Sequence, residues 1–186
     1  MDPMELLKEA QLLFVHGKHK ESIEVFTKAI EAGAEPYIAY LSRGAANLKA
    51  DEADQAIHDF TKAIDANSQS ARAYYFRGIV YLMREDFKRA VSDFSKALEL
   101  KRDYAIAKFS RSVAYARMDM NEEASKDMRE IMPQMEENIK SFADSHGIIR
   151  TQLTKVMGQI EGDRPWPNLN LDEKEMDMLQ KWLGEK

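Results

Sequence analysis

The sequence predicts an all-α fold, a solenoid of paired antiparallel helices. Phe26, Phe60 and Phe94 recur every 34 residues, and the same step carries Ala29 to Ala63 to Ala97 and Ile30 to Ile64 to Leu98. Within one period the apolar residues take helical spacing twice: Tyr40, Gly44 and Asn47 share one face, then Ala56, Phe60, Ala63 and Ile64 share another. A repeat of this length signals one supersecondary unit whose copies bury a common core only by stacking.

The elements follow in order. Pro3 behind Asp2 suits the start of the first helix and Gly33 the end of the second, giving a first hairpin over residues 3–36. The second occupies 37–70. The third, 71–104, opens behind Ser70, a helix-capping residue type. A weaker copy over 105–132 keeps Tyr115 and Ala124. Small residues at Gly44, Gly78, Ala56 and Ala90 let two backbones approach, and Phe60 and Phe94 fill the space one turn along. Beyond residue 132 the repeat ends. Met135, Ile139, Phe142, His146, Ile149, Leu153, Val156 and Ile160 alternate steps of four and three, so 134–161 is expected to be one long helix running through Gly147. Its expected role is to cap the solenoid, with a coiled-coil or homodimer seam as the alternative. Pro165-Trp166-Pro167 marks a linker over 162–171. Asp172 would cap a short amphipathic helix over 172–184, with Met176, Leu179, Trp182 and Leu183 on its apolar side.

These residues resemble the tetratricopeptide repeat. Residues 71–104 are a near-complete copy, with Tyr74, Gly78, Tyr81, Ala90, Phe94 and Ala97 in the signature places. Residues 37–70 have Asn47 where an aromatic is usual and Ser68 where proline is usual. The first copy has Ala10 in the glycine place and Ser22 in the first alanine place, and the fourth replaces four signature residues with Lys108, Ser112, Met128 and Ile131. The resemblance covers about the first 132 residues. It implies a right-handed superhelix whose first helices line a concave groove for another polypeptide.

By the same analogy the groove would be lined by Met4, Leu7, Gln11 and Phe14, by Ile38, Leu41, Ala45 and Leu48, by Arg72, Tyr75, Phe76, Ile79 and Leu82, and by Ile106, Phe109, Val113 and Ala116. This wall is mostly apolar, and an exposed apolar stripe calls for a covering partner. Leu7, Leu41, Tyr75 and Phe109 are expected to be its accessible anchors. Some relatives clamp the acidic C-terminal tail of heat-shock chaperones with Lys, Asn and Arg side chains. The corresponding places here hold Leu7, Gln11, Ser42, Arg72 and Phe76, and only Arg72 keeps the charge, so chaperone-tail binding is not expected. The expected function is a non-catalytic adaptor that binds a partner helix or peptide in the groove. The alternative is a structural subunit whose groove or seam is filled by its own C-terminal helix or by a second copy.

Arg43, Arg77 and Arg111 form another series, each just before the small residue of its repeat. Their heads are expected to reach water or acidic residues such as Asp59 and Asp93, with an anion-binding ladder as the alternative. With 32 acidic against 27 basic residues and no basic block, nucleic acid and anionic membranes are not expected partners. The absence of cysteine excludes disulfides and thiolate metal sites. His16 and His19 beside Gly17 fit a solvated turn, and no catalytic motif occurs, so neither an enzyme, a metal nor a cofactor is expected. With no apolar run of spanning length and no signal-peptide pattern at Met1–Glu5, a soluble cytoplasmic protein is expected.

Overall fold

The computed structural model describes residues 2–146, with side-chain environments for 2–133. These residues form eight helices: α1 (Pro3–Val15), α2 (His19–Glu31), α3 (Pro36–Lys49), α4 (Ala53–Ala66), α5 (Ala71–Met83), α6 (Phe87–Leu100), α7 (Ala105–Ala116) and α8 (Asn121–His146). Among the described residues there is no strand, and no helix is long and apolar enough to cross a membrane. The chain divides between Ile131 and Met132 into two compact units.

Local chemistry fixes the helix starts. A helix leaves its first amides without internal partners, and here side chains supply them. Asp2 accepts from the Met4 amide at 3.2 Å, and Ser70 from that of Ala73 at 3.1 Å. Glu35 accepts from the amides of Tyr37 and Ile38 at 3.1 and 2.8 Å, just ahead of Pro36 at the first helical position. Asp86 accepts from Arg89 at 3.2 Å.

The turn inside each hairpin repeats as faithfully as the core. Gly17, Asp51, Glu85 and Asp119 stand 34 residues apart, and all four are left-handed, with φ of 76°, 64°, 59° and 59°. Only the first hairpin places glycine there, the residue that enters this region without a Cβ penalty. Glu85→Gly is therefore expected to stabilise the protein by about 0.5–1 kcal/mol, the relief of the turn exceeding the entropy that glycine adds to the unfolded chain. Combining it with Asp51→Gly and Asp119→Gly is expected to raise Tm by about 5 °C, read by thermal circular dichroism. An unchanged Tm would mean that these turns hold no strain.

Hairpins α1–α2, α3–α4 and α5–α6 each close on themselves, and each even helix also packs on the next odd helix. Along α1 to α7 every odd helix touches the next odd helix, whereas the even helices do not touch one another. The odd helices therefore form the inner layer. Phe26, Phe60 and Phe94 are at most 1% exposed and fill the hairpin cores. A Cβ built on Gly44 would lie 2.8 Å from Phe60 Cε1, and one on Gly78 2.7 Å from Phe94 Cε1. The glycine places thus exist for the rings. In the first hairpin Ala10 holds that place beside Phe26, so one extra methyl group is accommodated there.

The fourth hairpin keeps its closure after losing the signature. Ser112 is buried with its hydroxyl donating to the Phe109 carbonyl at 2.7 Å, and Arg111 reaches Asp127 on α8. The heptad spacing predicts a separate helix from residue 134, but α8 continues through Pro133. Proline removes one amide and leaves the Arg129 carbonyl without its helical donor. Both residues are exposed, so water can serve that carbonyl. The expected helix beyond residue 146, its seam residues from Met135 onward, the 162–171 linker and the 172–184 helix lie outside the described residues or side chains.

Candidate functional site

The inner layer carries a repeated stripe. Residues at i, i+4, i+7 and i+11 share one face of a helix. On α3 these are Ile38, Ser42, Ala45 and Lys49; on α5 they are Arg72, Phe76, Ile79 and Met83. The two ends of the stripe are exposed on every odd helix, and its middle on α3 and α5 is half-buried. All seven exposed large apolar side chains among the described residues, Met4, Leu12, Val15, Ile38, Met83, Ile106 and Phe109, lie on odd helices.

The expected wall residues separate into two groups. Ile38 is 43% and Phe109 41% exposed, Gln11 and Arg72 are exposed, and Ala45, Phe76, Ile79 and Val113 are half-buried. Leu7, Leu41 and Tyr75, expected to be accessible anchors, are instead buried at 6%, 8% and 9% exposure. The cause is the following hairpin. Leu7 packs in one cluster with Ala39 and Ala46 of α3, Leu41 with Ala73 and Val80 of α5, and Tyr75 with Ala107 and Ala114 of α7. Phe109 stands in the same register and is the member of this series left exposed. Leu7, Leu41 and Tyr75 are therefore mortar between hairpins, and Met83 joins the expected Met4 and Ile106 among the accessible apolar groups. The signal for this was in the sequence: Ala39, Ala73 and Ala107 repeat in phase, and such small residues admit a neighbour's larger side chain.

Phe76 shows how a half-buried wall residue is held. Its ring stacks on Phe60 with centroids 5.6 Å apart and planes 14° apart, while the Arg72 guanidinium lies 5.4 Å from its centroid. Burial raises the Tyr75 hydroxyl above its ordinary pKa, consistent with its place in the hairpin interface.

The arginine series forms a structural ladder. Arg43 donates from Nε and Nη2 to Asp59 at 2.8 and 2.7 Å, and from Nη1 to Thr27 of the preceding hairpin at 3.0 Å. Arg77 repeats this with Asp93 at 2.8 and 2.8 Å and Thr61 at 3.1 Å, and Arg111 with Asp127 at 2.6 and 2.6 Å and Ser95 at 3.0 Å. Each guanidinium thus closes its own hairpin and ties it to the one before. These carboxylate hydrogen bonds raise all three arginines above their ordinary pKa. Asn47 donates to Asp59 at 2.9 Å, which gives the polar residue in an aromatic place its purpose. With their donors engaged, the three arginines are not an anion-binding ladder.

Other features carry less chemistry. His16 Nδ1 meets the Leu12 carbonyl at 2.7 Å and His19 packs on Phe14, and among the described residues no cluster of three or more His, Cys, Asp or Glu side chains could hold a metal ion. An open cleft of about 470 Å³ between α2, α3 and α4 is lined by Arg43, Asn47, Asp54, His58 and Asp59. It sits on the ladder, away from the apolar stripe. Its carboxylate Asp59 is already committed to Arg43 and Asn47, so the stripe is the better candidate for binding.

Comparison with known proteins agrees with this architecture. A tetratricopeptide repeat family model matches residues 71–104 and another matches residues 7–57. No curated protein matches the sequence. Among solved structures, a crystal structure of MamA is 28% identical with a TM-score of 0.70, covering 74% of this chain and 81% of that one. MamA from residue 41 onward of Desulfovibrio magneticus RS-1 is 23% identical at a TM-score of 0.67, covering 71% and 75%. The first tetratricopeptide domain of Spaghetti (RPAP3), solved with the HSP90 peptide SRMEEVD bound, is 22% identical at a TM-score of 0.60, covering 63% and 94%. Arrays of this kind are scaffolds for protein–protein interaction, and this chain carries tetratricopeptide repeats, matched over residues 7–57 and 71–104, in an all-α solenoid like that of MamA.

Proposed function

We propose that the protein is a non-catalytic adaptor whose inner wall, formed by the stripe on α1, α3, α5 and α7, receives a helix of a partner protein. The observation that carries this reading is the segregation of exposed apolar side chains: none of the large ones lies on α2, α4 or α6. Scattered exposed apolar residues are ordinary, but confinement to one layer describes an interaction surface. A helix suits this wall better than an extended segment. The stripe's cations only donate, and it offers few acceptors, chiefly Gln11 and Ser42, for the N–H groups of an extended backbone, whereas a helix satisfies its own. The chaperone-tail mode has the same difficulty, since Arg72 is the one cation among the five clamp positions.

An uncharged probe tests the wall itself. A fluorescent 15-residue peptide with leucine on one helical face and glutamine and alanine elsewhere is expected to bind the full chain. Ile38→Ser with Ile106→Ser is expected to weaken binding at least tenfold while leaving the thermal transition in place. If binding is unaffected by this pair yet falls on substitution of exposed residues of α4 and α6, such as Lys62 and Lys96, the wall is the wrong surface. Sedimentation separates the competing reading, a second copy filling the wall: a dimer dissolved by the same two substitutions would favour it.

A further inference from the structure

The stripe is also sorted by charge. Its sixteen positions on the four odd helices, with Arg117 directly after α7, hold no Asp or Glu, although the chain is acidic overall with a net charge of −5. The stripe does hold Lys8, Lys49, Arg72 and Arg117, all exposed. Elsewhere cations of the described residues are often engaged: Arg43, Arg77 and Arg111 clasp buried aspartates, Lys108 meets Glu130, and Arg84 meets Asp54. Among the described residues none of the four stripe cations has an acidic side chain within ion-pair distance. The acidic residues of the second and third hairpins lie on the even helices and in the loops that join the helices.

The geometry points to an acidic amphipathic helix as the partner of this wall: an apolar face for Ile38, Ile79, Met83 and Ile106, flanked by carboxylates for Lys49, Arg72 and Arg117. This rests on the wall being the binding surface and adds what the partner must carry. An apolar face alone would be held without discrimination. Carboxylates at its flanks would meet cations that have no competing partner within the described hairpins, while a basic helix would meet like charge. The positions suit steering and selection, because all four cations stand at exposed places around a half-buried apolar centre.

The test uses two charged relatives of the neutral peptide, one with glutamate and one with lysine on the flanks of the leucine face, titrated against the full chain by fluorescence anisotropy in low salt. The overall charge of the protein favours the lysine peptide, so non-specific attraction predicts the opposite order from a charge-sorted wall. The glutamate peptide is expected to bind at least tenfold more tightly than the lysine peptide, with the gap narrowing in high salt. Lys49→Glu with Arg72→Glu is expected to remove or invert the preference, whereas binding of the neutral peptide changes less than threefold. Equal affinity of the two charged peptides, or a preference for lysine, overturns the charge assignment while leaving the wall intact if the neutral peptide still responds to Ile38→Ser and Ile106→Ser. Failure of all three peptides to bind overturns both.

Discussion

Phe60→Ala is expected to destabilise the protein by about 4 kcal/mol, a large part of the stability of a protein of this size. The ring is fully buried, fits against the bare backbone of Gly44 and supports Phe76 of the next hairpin by stacking. Its removal thus loses the transfer energy of an aromatic side chain and leaves a cavity bounded by two helical hairpins. Gly44 lies too close to the missing ring to collapse into the gap without moving α3. Because a solenoid is held by nearest-neighbour interfaces, the loss is expected to lower cooperativity as well as the midpoint of urea denaturation. A loss below about 1.5 kcal/mol would mean that the ring does not fill the space the glycine leaves.

The second large effect is expected at Asp59, which is 1% exposed and accepts from Arg43 Nε, Arg43 Nη2 and Asn47 Nδ2. Asp59→Ala is expected to cost about 4 kcal/mol, because it strands a guanidinium and a buried amide at once. Asp93→Ala, which strands only Arg77, is expected to cost about 1 kcal/mol less. Replacing both partners, Arg77→Met with Asp93→Leu, is expected to cost less than Asp93→Ala alone, since an apolar pair leaves no charge without a partner. Urea denaturation of the single and double variants reads the coupling. Strict additivity would show that the clasp does not act as a unit.

The architecture was legible because its determinants are local and repeated. Phe26, Phe60 and Phe94 mark the period directly, and a glycine facing each of the later two rings is visible as a second series in phase. The arginine series was equally visible, but its partners were only half so. Asp59 and Asp93 repeat where Asp127 does too, yet the fourth copy has lost the residues that would have drawn attention to its second helix. Asn47 reads as a departure from the aromatic pattern until its hydrogen bond to Asp59 is seen.

The exposure of the expected wall residues was misjudged at one register. Leu7, Leu41, Tyr75 and Phe109 are equivalent in a single hairpin, and helical spacing cannot say which face a neighbouring hairpin will cover. That is decided by stacking, which buries the first three beneath the next odd helix. The left-handed turns at Asp51, Glu85 and Asp119 were hidden for a different reason: only Gly17 announces the conformation, and the other three adopt it because the hairpin imposes it.

The absence of cysteine gives a clean background for the most direct test of the inner wall as the binding surface. Single cysteines introduced by Ile38→Cys, Met83→Cys and Ile106→Cys, and by Lys62→Cys and Lys96→Cys on even helices, can be alkylated with and without saturating neutral peptide. If the inner wall is the binding surface, the peptide slows alkylation several-fold at the three inner positions and leaves the two outer ones unchanged. Protection at the outer positions with none at the inner ones would contradict it.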